Sequence, residues 1–239
     1  MRPPVNVTAR LSSSLCFLAA LLVLPLLPLR AAYDIPALEM VETQVSTVAE
    51  KAMPCVVALS RPENLGRSQG SGCIIARNGL ILTAAHVVGE AKIVTVTLPD
   101  QKRVQAKVLG ADYGRDIALA IITDPGDFPF LELGDTQNLA AGEMVVALGH
   151  AGGFDPRRQA PVRFGRVFEI SHEGFIRTDC TVVGGDSGGP LLLRNRAGSP
   201  EVAGILSGGS ASCVDRDEYT RLDNALRWIE SVIGERAFY

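Results

Sequence analysis

Between Cys55 and Arg221 the chain is cut into about a dozen short runs of β-branched and aliphatic residues, none long enough for a core helix. The first six are Val56–Ser60, Cys73–Ala76, Leu80–Thr83, Ile93–Leu98, Val104–Leu109 and Ile117–Ile122. The second six are Met144–Leu148, Val162–Ile170, Phe175–Thr178, Pro190–Leu193, Val202–Ser207 and Glu218–Arg221. Val94, Val96 and Leu98 alternate with Thr95 and Thr97, the period-two signature of a half-buried strand. With 24 glycines and 14 prolines in 239 residues, turn formers are plentiful enough to end each run. A softer stretch rich in Asp, Pro, Gly and Asn, from Thr123 to about Gly142, separates the two groups. This pattern predicts an all-β domain of two antiparallel six-stranded barrels, the first over about 53–124 and the second over about 143–222. Ligand sites favour the seam between such units.

Two helical patterns flank the strands. Leu38, Val41, Val45, Val48 and Ala52 recur at spacings of three and four, which predicts an amphipathic helix over 37–52. Leu222, Leu226, Ile229 and Ile233 share a face beside Trp228, which predicts a closing helix over about 222–234. Ahead of both, Arg2 and Arg10 precede the apolar run Leu15–Leu29, and no acid occurs before Asp34. As a helix that run rises only about 23 Å against a ~30 Å hydrocarbon core, and small residues follow at Ala31 and Ala32. Residues 1–31 therefore read as a signal peptide, with the domain over 32–239 exported to a secreted or periplasmic location and not held in a membrane after cleavage.

Cleavage there would remove three arginines from the 23 basic residues and none of the 26 acids, leaving a net charge near −6. An acidic surface excludes nucleic acid as the main partner, since phosphate binding needs a basic face. Cys55, Cys73, Cys180 and Cys213 remain in the exported part; none has the close spacing of a metal site, and none of the sequence calls for a cofactor. In an oxidising compartment they form one or two disulfides or stay as buried thiols.

The most informative segment is Gly184-Gly185-Asp186-Ser187-Gly188-Gly189-Pro190. A nucleophilic serine needs a tight turn that exposes its hydroxyl and aims backbone N–H groups at the developing oxyanion; flanking glycines permit that backbone. Leu82-Thr83-Ala84-Ala85-His86-Val87-Val88 offers a base at a strand end, with small residues before the imidazole and Gly70-Ser71-Gly72 upstream. His150 and His172 lack such company and read as ordinary loop or turn histidines. Asp116, directly before the apolar run Ile117–Ile122, suits the residue that orients the histidine and stabilises the imidazolium.

With these pieces in the order His86, Asp116, Ser187, the chain resembles a trypsin-like protease of the HtrA (Deg) group, over roughly Val56 to Ile233. "GSGCIIARNGLILTAAHVV", "RDIALAII", "MVVALGHAGGF" and "TDCTVVGGDSGGPLL" carry that resemblance, while "GILSGGSASC", "EYTRL" and "RWIESVI" are closer to secreted trypsins. The resemblance implies the chymotrypsin-type double barrel, hydrolysis of peptide bonds in polypeptide substrates through an acyl-enzyme, and an oxyanion hole from the N–H groups of Gly185 and Ser187. It implies that substrate aligns along Ser207-Gly208-Gly209, with Thr181 and Asp217 at the specificity pocket. Because "CVDRDE" is an acidic, polar stretch, Asp217 is expected to face water, which favours small apolar side chains before the cleaved bond and keeps basic ones as the alternative. A Cys180–Cys213 disulfide is likewise implied, and a homo-oligomer built through the N-terminal helix is open beside packing of that helix on its own barrel. An inactive peptide-binding homologue and an esterase are the alternative functions.

Three departures stand out. No PDZ segment follows the protease pattern. Asp186 replaces the asparagine usual in the HtrA group. No Ile-Val-Gly-Gly terminus of the trypsin kind is present to pair with it, so the sequence leaves Asp186 without a partner.

Overall fold

The computed structural model describes residues 35–62, 68–209 and 217–234. The chain from Glu39 onward forms one unit. Helix α1 (Ile35–Ala52) leads into a short 3-10 turn (Met53–Cys55) and strand β1 (Val56–Ser60). Strands β2 (Gln69–Ala76) and β3 (Leu80–Thr83) follow, then a single helical turn α2 (Ala85–Val88), β4 (Ile93–Thr97), β5 (Arg103–Asp112) and β6 (Ile117–Ile122). These six strands close into an antiparallel barrel in the order β1-β2-β3-β6-β5-β4.

After a two-residue strand β7 (Glu132–Leu133) come β8 (Met144–Leu148), β9 (Val162–Ile170), β10 (Phe175–Thr178), β11 (Pro190–Arg194), β12 (Pro200–Gly209) and β13 (Asp217–Arg221). The sheet runs β11-β8-β9-β10-β13-β12, and pairing of β11 with β12 closes it into the second six-stranded barrel. β7 is an addition that the periodicity did not signal: it pairs parallel to β12, Glu201 with Glu132 and Val202 with Leu133, and so fastens the linker to the second barrel. Helix α3 (Leu222–Ile233) ends the described chain; it buries Leu222, Ala225 and Ile229, and Trp228 and Val232 lie over Gly110 of β5.

Apolar patterning explains which strands face two cores. β8 reads as a continuous run because Val145 and Ala147 point into the second barrel while Val146 and Leu148 join the core shared with the first. Leu191 and Leu192 of β11 divide in the same way, as do Ala203 and Val202 of β12. A strand buried on both faces loses the apolar–polar alternation that marks a half-buried one. In α1 only the C-terminal half packs on this core, through Val48, Ala49 and Ala52, whereas Leu38 is exposed.

β9 inverts the usual rule. Arg163 pairs with Ala147 and shares an inward face with Gly165 and the buried Val167, while Phe164, 59% exposed, points outward. Leu119→Ala, at a fully buried site in β6, is expected to cost about 2–5 kcal/mol, whereas Phe164→Ala is expected to stay within about 0.5 kcal/mol. Urea unfolding checks both, and a Phe164 loss equal to that at Leu119 would contradict the assigned orientation of β9.

Candidate active site

The single helical turn α2 follows β3 directly and lifts His86 out of the first barrel, so that its neighbours Ala85, Val87 and Val88 are buried and the imidazole is exposed. Asp116 closes the turn between β5 and β6 with φ of 50°, a left-handed conformation uncommon for any residue but glycine. That turn is held from several sides. Asp112 Oδ1 accepts the N–H groups of Gly114 and Arg115 at 2.9 and 3.1 Å, and Arg115 Nη1 binds Asp112 Oδ2 at 2.6 Å. Thr220 of β13 donates to the Arg115 carbonyl, and Arg115 Nε donates to the Asn224 carbonyl of α3 at 3.1 Å.

So held, Asp116 meets His86 twice: Oδ2 lies 2.7 Å from Nδ1, and Oδ1 accepts the His86 backbone N–H at 2.9 Å. Ser207 Oγ donates to the same Oδ2 at 2.8 Å. Burial works against the Asp116 charge, but the bonds from the His86 ring, the His86 backbone and Ser207 outweigh it and hold its pKa below the ordinary carboxylate value. An ionised Asp116 fixes the His86 tautomer with Nδ1 protonated, leaving Nε2 as the basic nitrogen.

The turn carrying Ser187 packs against the first barrel, on Ser71 of β2 and on Thr83 and Ala84, the residues that lead into α2. Ser71 N donates to the Ser187 carbonyl at 2.7 Å, and Ser71 Oγ donates to the Gly185 carbonyl at 2.8 Å while accepting the His150 N–H at 2.8 Å. Glycine is required at two positions of the turn. Gly185, with φ of 97°, would place a Cβ 2.5 Å from the His150 carbonyl, and Gly188, with φ of 83°, would place one 2.2 Å from the Ser71 carbonyl. Ser187 itself is half-buried. Among the described residues no protein acceptor takes the backbone N–H of Gly185 or Ser187.

The remaining predicted residues lie around this centre. Ser207 and Gly208 are half-buried on β12, and Gly209 pairs with Asp217 of β13. Thr181 is exposed. Asp217 departs from expectation: it is 9% exposed, it accepts the Val182 N–H at 3.1 Å, and burial pushes its pKa up to about 6. The polar composition of its neighbours misled because Asp217 is the first residue of β13, paired with the fully buried Thr178, and not a loop residue. Cys55, Cys73 and Cys180 are buried free thiols, with Cys55 and Cys180 pushed up to about 11 by burial. Cys213 lies outside the described residues, and with it the Cys180–Cys213 pairing. His150 is buried, and burial first among its causes lowers its pKa to about 4.

Two residues of the site had not been singled out as functional. Ser71 stood in the quoted Gly-Ser-Gly segment without a role. Arg163 was hidden inside a strand pattern, yet its Nη2 lies 2.9 Å from Asp186 Oδ2 with both side chains largely buried.

A double β-barrel with a His–Asp pair on the first barrel and a glycine-flanked serine turn on the second defines the chymotrypsin-like class. Residues 70–205 match the trypsin-like peptidase domain family, and the chain belongs to that family. It is 40% identical over 144 residues to a probable periplasmic serine endoprotease, DegP-like, of Pseudomonas fulva (strain 12-X), a match covering 59% of this chain and 29% of that protein. It is 35% identical over 182 residues to the protein of the same description in Pseudomonas putida (strain W619), covering 74% and 37% of the two chains. The chain thus spans about a third of the length of these relatives. The crystal structure of the serine endoprotease from Yersinia pestis superposes with a TM-score of 0.69 at 25% identity, covering 80% of this chain and 67% of that one.

Asp217 gives a pH signature. A carboxyl whose folded pKa lies above its unfolded value, about 3.9, contributes fully below that value and loses the contribution as pH rises through about 6. Asp217→Asn keeps an acceptor for Val182 without the charge. It is expected to match wild type near pH 4 and to exceed it above pH 6 by up to about 3 kcal/mol. Thermal unfolding at both pH values checks this, and a pH-independent difference would refute it.

Proposed function

We propose that this chain is an exported serine endopeptidase acting on polypeptide substrates, with His86, Asp116 and Ser187 as its triad. The observation that carries this reading is the His86–Asp116 contact at 2.7 Å, together with the glycine-flanked turn of Ser187 that packs on Thr83 and Ala84, just ahead of His86 in the chain. In acylation the Ser187 Oγ bonds to the scissile carbonyl carbon as His86 Nε2 takes its proton. The tetrahedral oxyanion is received by the N–H groups of Gly185 and Ser187. Collapse breaks the C–N bond as His86 returns the proton to the leaving amine, and water, deprotonated by His86, then releases the acid from the acyl-enzyme. Asp116 stabilises the imidazolium and remains ionised throughout.

Substrate aligns along the Ser207–Gly209 segment. One side of this segment pairs with β13, Gly208 with Glu218 and Gly209 with Asp217, and the other has no strand partner among the described residues. A Cβ at Gly208 would meet nothing within 4 Å, which leaves room for an added strand and its side chains. The relatives are described as periplasmic, which supports reading residues 1–31 as an export signal, although those residues lie outside the described structure.

Ser187→Ala is expected to lower casein hydrolysis by about 10⁴-fold or more and to abolish labelling by a fluorophosphonate, with an unchanged melting temperature. Hydrolysis near the wild-type rate in this variant removes Ser187 from the mechanism. Labelling without protein cleavage, together with turnover of simple esters, would instead identify an esterase.

A further inference from the structure

We propose that Arg163 is a positioning residue for catalysis: from inside the second barrel it holds the Asp186 side chain, and through it the backbone of the Gly185–Ser187 turn, so that the turn needs no free chain terminus to stay in place. This inference rests on the endopeptidase reading. It starts from the inverted pattern of β9, where an arginine takes an inward position that barrel packing would assign to an apolar residue. A buried guanidinium is costly unless it meets an anion. Arg163 meets one at 2.9 Å, with its side chain 16% and that of Asp186 3% exposed.

Asp186 in turn spans its own loop. The oxygen that binds Arg163 also accepts the Val183 N–H at 2.9 Å, and the Asp186 carbonyl accepts the Gly189 N–H at 2.8 Å. The loop is therefore pinned on both sides of the nucleophile. Space around the carboxylate is reserved by Gly149, where a Cβ would come within 2.8 Å of Asp186 Oδ1. Burial raises the Asp186 pKa, while the Val183 N–H and the Arg163 and Arg158 charges act to keep the carboxylate. Arg163 also lies within electrostatic reach of Asp217, so one buried cation faces two buried carboxylates. Its loss leaves Asp217 without a nearby cation and Asp186 with the Arg158 charge alone.

A partner for Asp186 is thus supplied from β9. If Arg163 serves only to neutralise and anchor Asp186, then asparagine at position 186 removes the need for it.

The test compares Arg163→Gln, Arg163→Lys, Asp186→Asn and the double variant R163Q/D186N in the full chain, measuring kcat and KM on a chromogenic peptide together with melting temperature. Arg163→Gln is expected to lose about 10²-fold in kcat, the scale of a misplaced oxyanion donor, with KM changed less than about 3-fold. Arg163→Lys, which restores the charge, is expected to regain at least 10-fold of that loss. The double variant is expected to turn over at least 10-fold faster than Arg163→Gln and to melt higher than it. An active wild type with kcat intact in Arg163→Gln overturns this inference alone, as does a double variant no faster than Arg163→Gln. If Arg163→Gln fails to fold, the lysine and double variants carry the test, and a double variant that folds but turns over more than about 30-fold slower than Asp186→Asn overturns the inference. An inactive wild type overturns the endopeptidase reading, and this inference with it.

Discussion

The site depends on one cross-barrel clamp. Ser71, fully buried on β2, donates its N–H to Ser187 and its hydroxyl to Gly185, and accepts the N–H of His150 from the second barrel. Thr83 Oγ1 closes the set by donating to the Ser71 carbonyl at 2.7 Å. These bonds satisfy the backbone and hydroxyl groups of Ser71 across the seam, and breaking one of them there would cost about 1–3 kcal/mol. The register between the barrels follows from these bonds. So does the position of the serine turn relative to β3 and α2, which deliver His86.

Around that clamp the two carboxylates of the candidate site are treated in opposite ways. Asp116 lies at the mouth of the seam and gathers three hydrogen bonds, which keep it ionised against partial burial. Asp186 lies beneath the turn, almost wholly enclosed, and is balanced by a guanidinium. The first arrangement suits a group that must stabilise a transient positive charge on its neighbour. The second suits a fixed post under a turn whose glycines take positive φ. Both depend on strand ends that place polar side chains inside a fold whose interior is otherwise aliphatic.

Much of this was legible in the sequence because the strands are short and their turns well marked. Six of the strand spans, among them Val56–Ser60, Ile117–Ile122 and Val162–Ile170, match the β-rich runs of the sequence residue for residue, and two more, Pro190–Arg194 and Asp217–Arg221, add one residue to theirs. β2 begins earlier than its apolar residues because the Gln69–Gly72 segment pairs with Leu59, Ser60 and their neighbours despite its glycines. β7 was invisible: two residues paired to a neighbour through the backbone leave no periodic trace. The His86, Asp116 and Ser187 motifs were readable because each needs a distinctive local backbone. Arg163 and the buried Asp217 were not, since their roles come from which face of a strand turns inward, and composition does not report that. The buried Asp217 and the exposed Phe164 both run against the rule that polar residues face water and apolar ones do not.

The complex of the protein with a peptide boronic acid tests the account most directly. The account predicts a tetrahedral adduct on Ser187 Oγ, one boronate oxygen received by the N–H groups of Gly185 and Ser187, and inhibitor backbone paired with Ser207–Gly209. A boronate bonded to any other residue, or an adduct on Ser187 whose oxygen points away from those two N–H groups, would contradict it.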